Sequence, residues 1–344
     1  MRRVTVSRWA SGWASSSSRA WSSLVASQAR TAARLVKVSR PAVARRAKRA
    51  ADPGDWVLGH AVGSALPRRY RLYRPPGIES SQRLPLLVML HGCTQDAESF
   101  AASTRMNALA LRHGFLVLYP EQDAIANPQR CWNWFDTRSG RAAAEAASIV
   151  QAIDQVLRLY PVDPHRVAVA GMSAGASMAA LLATRYPLRF TSVAMHSGVA
   201  PGASQSSATL LPAMQGRRAS APLTVQDAAP LPPLLIVHGS DDRIVSNRNA
   251  SATAELWAAS LHASAGEVRT VQRGKRYPMD VTDFLAGTHL AVTLCEVRGL
   301  GHAWSGGRSG HAHADSRGPD ASRMLYSFIA RGWKLARSVA AKAA

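Results

Sequence analysis

The sequence has few of the residues that mark metal-binding, disulfide-rich or membrane-spanning proteins. It contains only three cysteines in 344 residues, with no Cys-x-x-Cys pair and no His/Cys cluster at metal-ligand spacing. We therefore predict no metal ion and no other cofactor. No apolar run approaches the roughly 20 residues that a membrane-spanning helix needs. Because hydrophobic residues still make up 47% of the chain, we expect a soluble protein with a sizeable core.

The few cysteines leave one pairing open. Cys93 and Cys131 each follow an apolar, strand-like segment, whereas Cys295 lies much later in the chain. In an oxidising compartment the first two would form one disulfide, and otherwise they would remain buried thiols.

Acidic residues are absent from the start of the chain. Twelve of the 42 lysine and arginine residues fall within residues 1–50, and no acidic residue precedes Asp52. Of the formal net charge of +21, only +9 is left for the rest of the chain. The arm also lacks the apolar stretch of about 7–15 residues found in secretory signals. Its composition is typical of a disordered extension, of a transit peptide or of an arm that contacts an anionic surface; a mis-assigned start codon is a further alternative. We predict no nucleic-acid partner.

Beyond residue 52, strand-like and helix-like segments alternate. The segments LPLLVMLHG, FLVLYPE, FTSVAMHSG and PLLIVHGSDD each contain a continuous apolar run, as in strands buried on both faces. The segment AAAEAASIVQAIDQVLRLYPVD has the periodicity of an amphipathic helix. This alternation predicts an α/β fold, with a mostly parallel central sheet and helices on both faces. We therefore divide the chain into a basic extension (residues 1–52), one α/β domain (53–336) and a C-terminal tail (337–344).

The strongest local motif is Gly171-Met172-Ser173-Ala174-Gly175, which has the Gly-x-Ser-x-Gly pattern of a nucleophile elbow. It lies between a strand-like and a helix-like segment, as that motif requires. Glycine is needed at both ends because a side chain would collide with neighbouring backbone in the tight turn, which holds the serine strained and exposed near a helix start. The motif predicts an α/β-hydrolase fold with Ser173 as nucleophile.

A serine nucleophile needs a base and an orienting acid, which α/β-hydrolases place later in the chain, acid first. The segment HGSDDRIV offers Asp241 and Asp242, and we favour Asp242 because it stands three residues before an apolar residue. The glycine-rich segment GLGHAWSGG offers His302 as the base. His311 and His313 follow in a polar stretch and are interpreted as surface residues.

Ester hydrolysis also requires donors for the developing oxyanion. One is expected to be the backbone amide of Ala174, directly after the nucleophile, and the other should come from the turn after an earlier strand. The segment MLHGCTQ fits this turn, with Gly92 allowing it and Cys93 donating its amide. His91 is interpreted as a residue that braces the turn through hydrogen bonds.

These motifs resemble those of the polyhydroxybutyrate depolymerase family of esterases, which is related to feruloyl and acetylxylan esterases. The matching segments are LHGCTQ, LVLYPEQ, CWNWF, GMSAGASMA, HGSDDRIV, GLGHAWSGG and RGPDASRMLYSF, in family order. The resemblance implies a serine esterase with Ser173, Asp242 and His302 as its triad and the Cys93 amide in the oxyanion hole. It also implies an extracellular location, and a cytoplasmic one is the alternative because no clear secretory signal is seen.

Aromatic side chains are candidates for substrate contact. Trp132 and Trp134 in the CWNWF segment, and Trp304 after the proposed base, would offer rigid apolar contact area, although packing in the core is the alternative for the first two. The resemblance implies short-chain or oligomeric hydroxyalkanoate esters as substrates. Two alternatives remain: an esterase that acts on feruloyl or acetyl esters of plant polysaccharide, and a non-catalytic protein that holds polymer granules or another polyanion through the basic arm.

Overall fold

The computed structural model describes residues 53–63, 65–79, 81–225 and 229–343, with side chains up to residue 338. The predicted basic extension, residues 1–52, and the last residue, Ala344, lie outside these described residues.

Eleven strands of the described chain form one sheet. They are β1 (Asp55–Ala61), β2 (Arg68–Arg74), β3 (Leu84–Leu90), β4 (Leu116–Pro120), β5 (Val162–Met172), β6 (Ser192–His196), β7 (Leu234–Gly239), β8 (Ser264–Ala265), β9 (Arg269–Val271), β10 (Met279–Ala286) and β11 (His289–Val297). Their order in space is β1-β2-β4-β3-β5-β6-β7-β11-β10-β8, with β9 also paired to β10. All pairs from β4 to β11 along this order are parallel, and the pairs outside them are antiparallel. Two short strands, β12 (Trp304–Ser305) and β13 (Ala314–Asp315), pair with each other.

Seven α-helices lie in the described part of the chain, and most of them pack on the sheet. They are α1 (Ala97–Thr104), α2 (Met106–His113), α3 (Arg141–Leu159), α4 (Ala174–Arg185), α5 (Ser207–Met214), α6 (Arg248–Ser260) and α7 (Ala321–Ala343). In α3, Ile149, Ile153 and Val156 are buried at a spacing of four and three residues, which is the apolar face that the sequence periodicity predicted.

The central strands are apolar because both of their faces are covered. Every residue of β4, β6 and β7 is buried, which matches the continuous apolar runs of the sequence. In the outer strand β1, every residue except Ala61 is instead exposed or partly buried. This order and this burial confirm the predicted α/β fold with a mostly parallel sheet.

The parallel strands bring separate parts of the chain to one edge of the sheet. Strands β5, β6, β7 and β11 are consecutive neighbours, so the segments that follow them meet at the carboxyl edge. Ser173 follows β5, Asp242 follows β7 and His302 follows β11.

Some parts of the fold differ from the sequence prediction. Strand β10, antiparallel to β11, was not predicted, because Asp280, Thr282 and Asp283 interrupt its apolar residues and are only partly buried. Helix α7 continues through Ala343, so residues 337–343 of the predicted tail are helical. Its buried Leu325, Phe328, Ile329 and Trp333 anchor it to the core.

A buried polar network supports the segment around Trp132. The Glu145 carboxylate on α3 accepts hydrogen bonds from Gln122 Nε2 and from Asn133 N, both at 2.8 Å. Gln122 Oε1 accepts in turn from Arg68 Nη1 at 2.8 Å, and the Arg68 guanidinium lies 5.0 Å from the Trp132 ring centroid. Because these polar groups are buried, each needs its hydrogen-bond partners to offset the free-energy cost of leaving water.

Replacing Glu145 with alanine is therefore expected to lower the free energy of unfolding by about 3–5 kcal/mol. The change removes the negative charge that acts on the buried Arg68 guanidinium and leaves the buried donors of Gln122 and Asn133 without their acceptor. Urea unfolding would measure the change. Glu255→Ala on α6 is the matched control, because Glu255 is exposed and its loss should change stability by less than about 0.5 kcal/mol. Equal losses in the two variants would contradict this account.

Candidate active site

Ser173 lies in a strained turn between β5 and α4. Its φ of 54° and ψ of −119° are unusual for a residue with a side chain, and its amide donates to His196 O at 2.8 Å. A Cβ atom on Gly171 would overlap the backbone of Gly175, and one on Gly175 would overlap Leu90 O. The two glycines of the motif are thus required by close backbone approach.

A chain of hydrogen bonds links Ser173, His302 and Asp242. His302 Nε2 lies 3.0 Å from Ser173 Oγ, and His302 Nδ1 lies 2.7 Å from Asp242 Oδ2. Because the carboxylate only accepts, Nδ1 carries the proton and Nε2 is free to accept one from the serine. Asp241 instead accepts from Ser240 Oγ at 2.8 Å, so the acid beside His302 is Asp242.

The Asp242 carboxylate is fully enclosed and held from several sides. Its Oδ1 accepts from Ile244 N at 3.0 Å and Val245 N at 2.9 Å, while His238 Nε2 lies 3.4 Å from Oδ2. Burial by itself would raise the pKa of Asp242, but the hydrogen bonds from His238 and His302 hold it well below the ordinary value. The carboxylate is therefore ionised wherever His302 works as a base.

The predicted oxyanion turn lies against Ser173. A Cβ atom built on Gly92 would lie 3.6 Å from the Cβ of Ser173, and Gly92 N is held by Gln95 Oε1 at 2.9 Å. No acceptor for the Cys93 amide is found in the described part of the chain. Ala174 begins α4, where the first amides of a helix have no intrahelical partner.

His91 braces this turn from inside the protein. Its Nδ1 donates to Gly92 O at 2.7 Å, and its Nε2 accepts from Gln122 N at 3.1 Å. Its carbonyl accepts from Trp132 Nε1 at 3.0 Å. Burial lowers the pKa of His91 to about 4, so the ring stays neutral and keeps both bonds near neutral pH.

Cys93 and Cys131 form a disulfide, while Cys295 is a buried free thiol. The bond joins the oxyanion turn to the CWNWF segment, and Thr94 N adds a hydrogen bond to Gln129 O at 2.7 Å. Two parts of the chain that are 38 residues apart are thus fixed to each other at the turn beside Ser173.

Removing this bond with Cys93→Ser and Cys131→Ser is expected to cost about 4 kcal/mol of stability, as typical for a loop of this length. We also expect kcat to fall roughly tenfold because the Cys93 amide is less well fixed. Activity and urea unfolding with and without dithiothreitol would test both effects, with Cys295→Ala as the control. Reductant should lower the kcat of the wild type and leave that of the double variant unchanged. A wild type whose kcat and stability do not change on complete reduction would contradict the prediction.

The structure encloses the tryptophans proposed for substrate contact. Trp132 is 0% and Trp304 1% exposed, and Trp134 is also buried at 7%. Trp132 braces the oxyanion turn, and Trp304 donates through Nε1 to Ser322 Oγ at 3.0 Å. All three rings are therefore enclosed by the protein, and Trp132 supports the oxyanion turn from the interior. His313 is exposed and His311 is partly buried.

Among the described residues, no group of at least three His, Cys, Asp or Glu side chains has the arrangement of a metal site. Within the same ranges, no helix is both long and apolar enough to cross a membrane.

Two histidines of the site were not found by sequence reasoning. His196 ends β6, and His238 lies in β7, four residues before Asp242. The pattern HGSDD could have indicated His238, since a histidine four residues before the acid is close to it across the turn. No pattern in FTSVAMHSG distinguishes His196 from a histidine that only packs in the core.

The buried neutral histidines make stability depend on pH. Burial lowers the pKa of His91 to about 4 and, together with the nearby His238 and His302, lowers that of His196 to about 3. In the unfolded chain both return to about 6.5. The unfolded chain then binds more protons between these values, so the free energy of unfolding falls as the pH falls below about 6.5, by roughly 2–3 kcal/mol per histidine near pH 4.5.

Urea unfolding at about pH 7 and about pH 4.5 would measure this loss. His196→Gln carries no titrating ring, so its stability should differ less between the two pH values than that of the wild type. An identical pH dependence of the two proteins would contradict the assignment.

The strand order, and the serine, histidine and carboxylate joined at the carboxyl edge of the sheet, define an α/β-hydrolase. Within this class the chain belongs to the family described as Esterase PHB depolymerase, whose family model matches residues 68–270. The matched region contains Ser173 and Asp242 and ends before His302.

Known relatives agree with this membership. The chain is 33% identical over 228 residues to poly(3-hydroxyalkanoate) depolymerase C of Paucimonas lemoignei, covering 63% of this chain and 54% of the relative. It thus spans about half the length of that depolymerase. It is 27% identical to a probable acetylxylan esterase A of Aspergillus clavatus over 59% of this chain and 70% of the relative. A solved acetyl xylan esterase from Aspergillus awamori shares the fold, with a TM-score of 0.59 and 21% identity over 68% of this chain and 89% of the other.

Proposed function

We propose that the protein is a serine carboxylic-ester hydrolase that cleaves short-chain or oligomeric hydroxyalkanoate esters through an acyl-enzyme. The observation that carries the proposal is the hydrogen-bond chain from Ser173 Oγ through His302 to Asp242. This is the arrangement that converts a weakly nucleophilic hydroxyl into a nucleophile. Membership of the esterase family supports the reaction type.

In the first half of the reaction, Ser173 Oγ bonds to the ester carbonyl carbon while its proton moves to His302 Nε2. The carbonyl electron pair moves onto the oxygen, where the amides of Cys93 and Ala174 stabilise the negative charge. The intermediate collapses, the bond to the alcohol oxygen breaks, and His302 returns the proton to that leaving oxygen. Asp242 stabilises the protonated ring during these steps.

In the second half, water attacks the acyl-enzyme and gives a proton to His302 Nε2. Collapse of the second intermediate releases the carboxylic acid and returns the proton to Ser173 Oγ. Every proton and electron pair is accounted for by the substrate, water and these side chains, so the cycle calls for no cofactor.

The depolymerase from Paucimonas lemoignei supports a hydroxyalkanoate substrate by its name. The acetylxylan esterase from Aspergillus clavatus and a feruloyl esterase B from Neurospora crassa, which is 27% identical over 56% of this chain, favour a second candidate, an esterase for acyl groups on plant polysaccharide. The disulfide between Cys93 and Cys131 supports an oxidising, extracytoplasmic location. We further propose that the basic extension contacts an anionic surface.

The test is a panel of substrates for the purified full chain: p-nitrophenyl butyrate, 3-hydroxybutyrate oligomers, methyl ferulate and acetylated xylan. We expect release of 3-hydroxybutyrate from the oligomers to be the fastest of the natural-type reactions. Faster cleavage of methyl ferulate or acetylated xylan would favour the second candidate. No hydrolysis of any ester, together with salt-sensitive binding to anionic polymer, would favour the non-catalytic alternative.

A further inference from the structure

His196 lies between the nucleophile and the loop that carries the base. It is fully buried at the end of β6, next to β5 in the sheet. Its carbonyl oxygen accepts the hydrogen bond from Ser173 N at 2.8 Å. The main chain of His196 thus holds Ser173, whose backbone in the turn between β5 and α4 is strained, with a φ of 54°.

The side chain of His196 faces the other partner of the reaction. Its Nε2 lies 3.0 Å from Ser305 N, three residues after His302. Because a backbone N–H only donates, Nε2 is the acceptor, and the ring proton lies on Nδ1, which donates to Ser197 Oγ at 3.1 Å. The ring also stacks on Trp304, with centroids 4.9 Å apart and planes inclined by 22°.

The loop around His302 is held from two sides. Before His302, the segment that follows β7 fixes it: Asp241 N donates to Leu300 O at 3.0 Å, and Ser240 Oγ accepts from Gly299 N at 2.8 Å. After His302, the ring of His196 fixes the loop by accepting the hydrogen bond from Ser305 N. His302 therefore lies between two fixed points of its loop. One is held by the segment that carries Asp242, and the other is held by His196, whose carbonyl also binds Ser173 N.

We propose that His196 is a positioning residue of the reaction, which holds Ser173 through its carbonyl and the His302 loop through its ring and so fixes the 3.0 Å distance between Ser173 Oγ and His302 Nε2. This inference rests on the proposed function. Small misplacements of reacting groups reduce rates strongly, about 100-fold for 1 Å. The ring acts through other residues and does not touch the reacting atoms.

The surroundings of His196 keep its ring neutral, as an acceptor at Nε2 requires. Burial, with the nearby His238 and His302, lowers the pKa of His196 to about 3, although Asp242 acts in the opposite direction. The ring is therefore neutral at working pH and Nε2 remains an acceptor. A protonated ring would have no acceptor for Ser305 N.

The test compares variants that keep or remove the acceptor. His196→Phe keeps an aromatic ring beside Trp304 but has no acceptor, and His196→Gln places an amide oxygen where Nε2 stands. His196→Asn is too short to reach Ser305 N and serves if the phenylalanine variant does not fold. Trp257→Phe on α6 is the matched control. It also removes a buried ring N–H, which donates to Pro232 O at 2.8 Å, but this hydrogen bond does not involve Ser173, Asp242 or His302.

Each protein is assayed for kcat and KM with p-nitrophenyl butyrate and for the rate of covalent labelling by a fluorophosphonate, well below its unfolding midpoint. We expect kcat and the labelling rate of His196→Phe or His196→Asn to fall by about 10- to 100-fold, with KM within about twofold, and the glutamine variant to recover most of the loss. The control should match the wild type.

Equal kcat and labelling rates for His196→Phe and the control would overturn the inference, as would a glutamine variant no better than the phenylalanine variant. Absence of both hydrolysis and labelling in the wild type would instead overturn the proposed function, and the inference with it.

Discussion

Replacing Ser173 with alanine is expected to lower kcat for p-nitrophenyl butyrate by on the order of 10⁵- to 10⁶-fold, the loss typical for removal of a triad nucleophile. The oxygen that forms the acyl-enzyme is then gone, and His302 has no hydroxyl to deprotonate. The residual rate comes from ester binding and the oxyanion donors alone. Steady-state assays with a fluorophosphonate-treated wild type as the background blank would measure the difference.

The variant should keep the fold, which separates lost chemistry from lost structure. Ser173 contributes its hydroxyl to the site, and its amide hydrogen bond to His196 O does not depend on the side chain. Ser177→Ala on α4 is a useful comparison, because Ser177 Oγ accepts from Val199 N at 2.9 Å and donates to the backbone oxygen of Ser173 at 3.4 Å, so this hydroxyl touches the turn but is not the one bonded to His302. Its activity should stay within severalfold of the wild type, whereas full activity of Ser173→Ala would remove Ser173 as the nucleophile.

The parts of the site that the sequence predicted are those that local rules determine. Ser173 was predicted because a strand, two glycines and a helix surround it, and each of these has a local signature. Asp242 and His302 were predicted from chain order and from their place after apolar strands, since parallel strands bring such segments to one edge. The sheet itself followed from apolar runs in β4, β6 and β7 that only a doubly covered strand would carry.

The parts that the sequence did not predict depend on contacts between distant segments. Trp132 and Trp304 look like pocket residues because aromatic rings suit both a pocket and a core, and only packing shows that they are enclosed. The disulfide between Cys93 and Cys131 was left open because the sequence does not show whether the compartment is oxidising. The role of His196 depends on Ser305, which is 109 residues away.

Replacing Asp242 with asparagine is expected to lower kcat by about 10⁴-fold with little change in KM, as seen when a triad histidine is forced into the wrong tautomer. The structure gives the reason. Ile244 N and Val245 N both donate to Asp242 Oδ1, so the oxygen of an asparagine amide must occupy that position. The amide nitrogen then points at His302 Nδ1, where it can only donate.

His302 would then hold its proton on Nε2, where it cannot accept the proton of Ser173. Asp241→Asn is the matched control, since Asp241 is the neighbouring exposed acid and accepts from Ser240 Oγ; its kcat should stay within about twofold of the wild type, as expected for a surface substitution. Comparison of kcat for the two variants, with labelling by fluorophosphonate as a second readout, measures the effect. A large loss in Asp241→Asn with an active Asp242→Asn would reverse the assignment of the acid. Similar small losses in both would mean that the buried carboxylate orients His302 without controlling its tautomer.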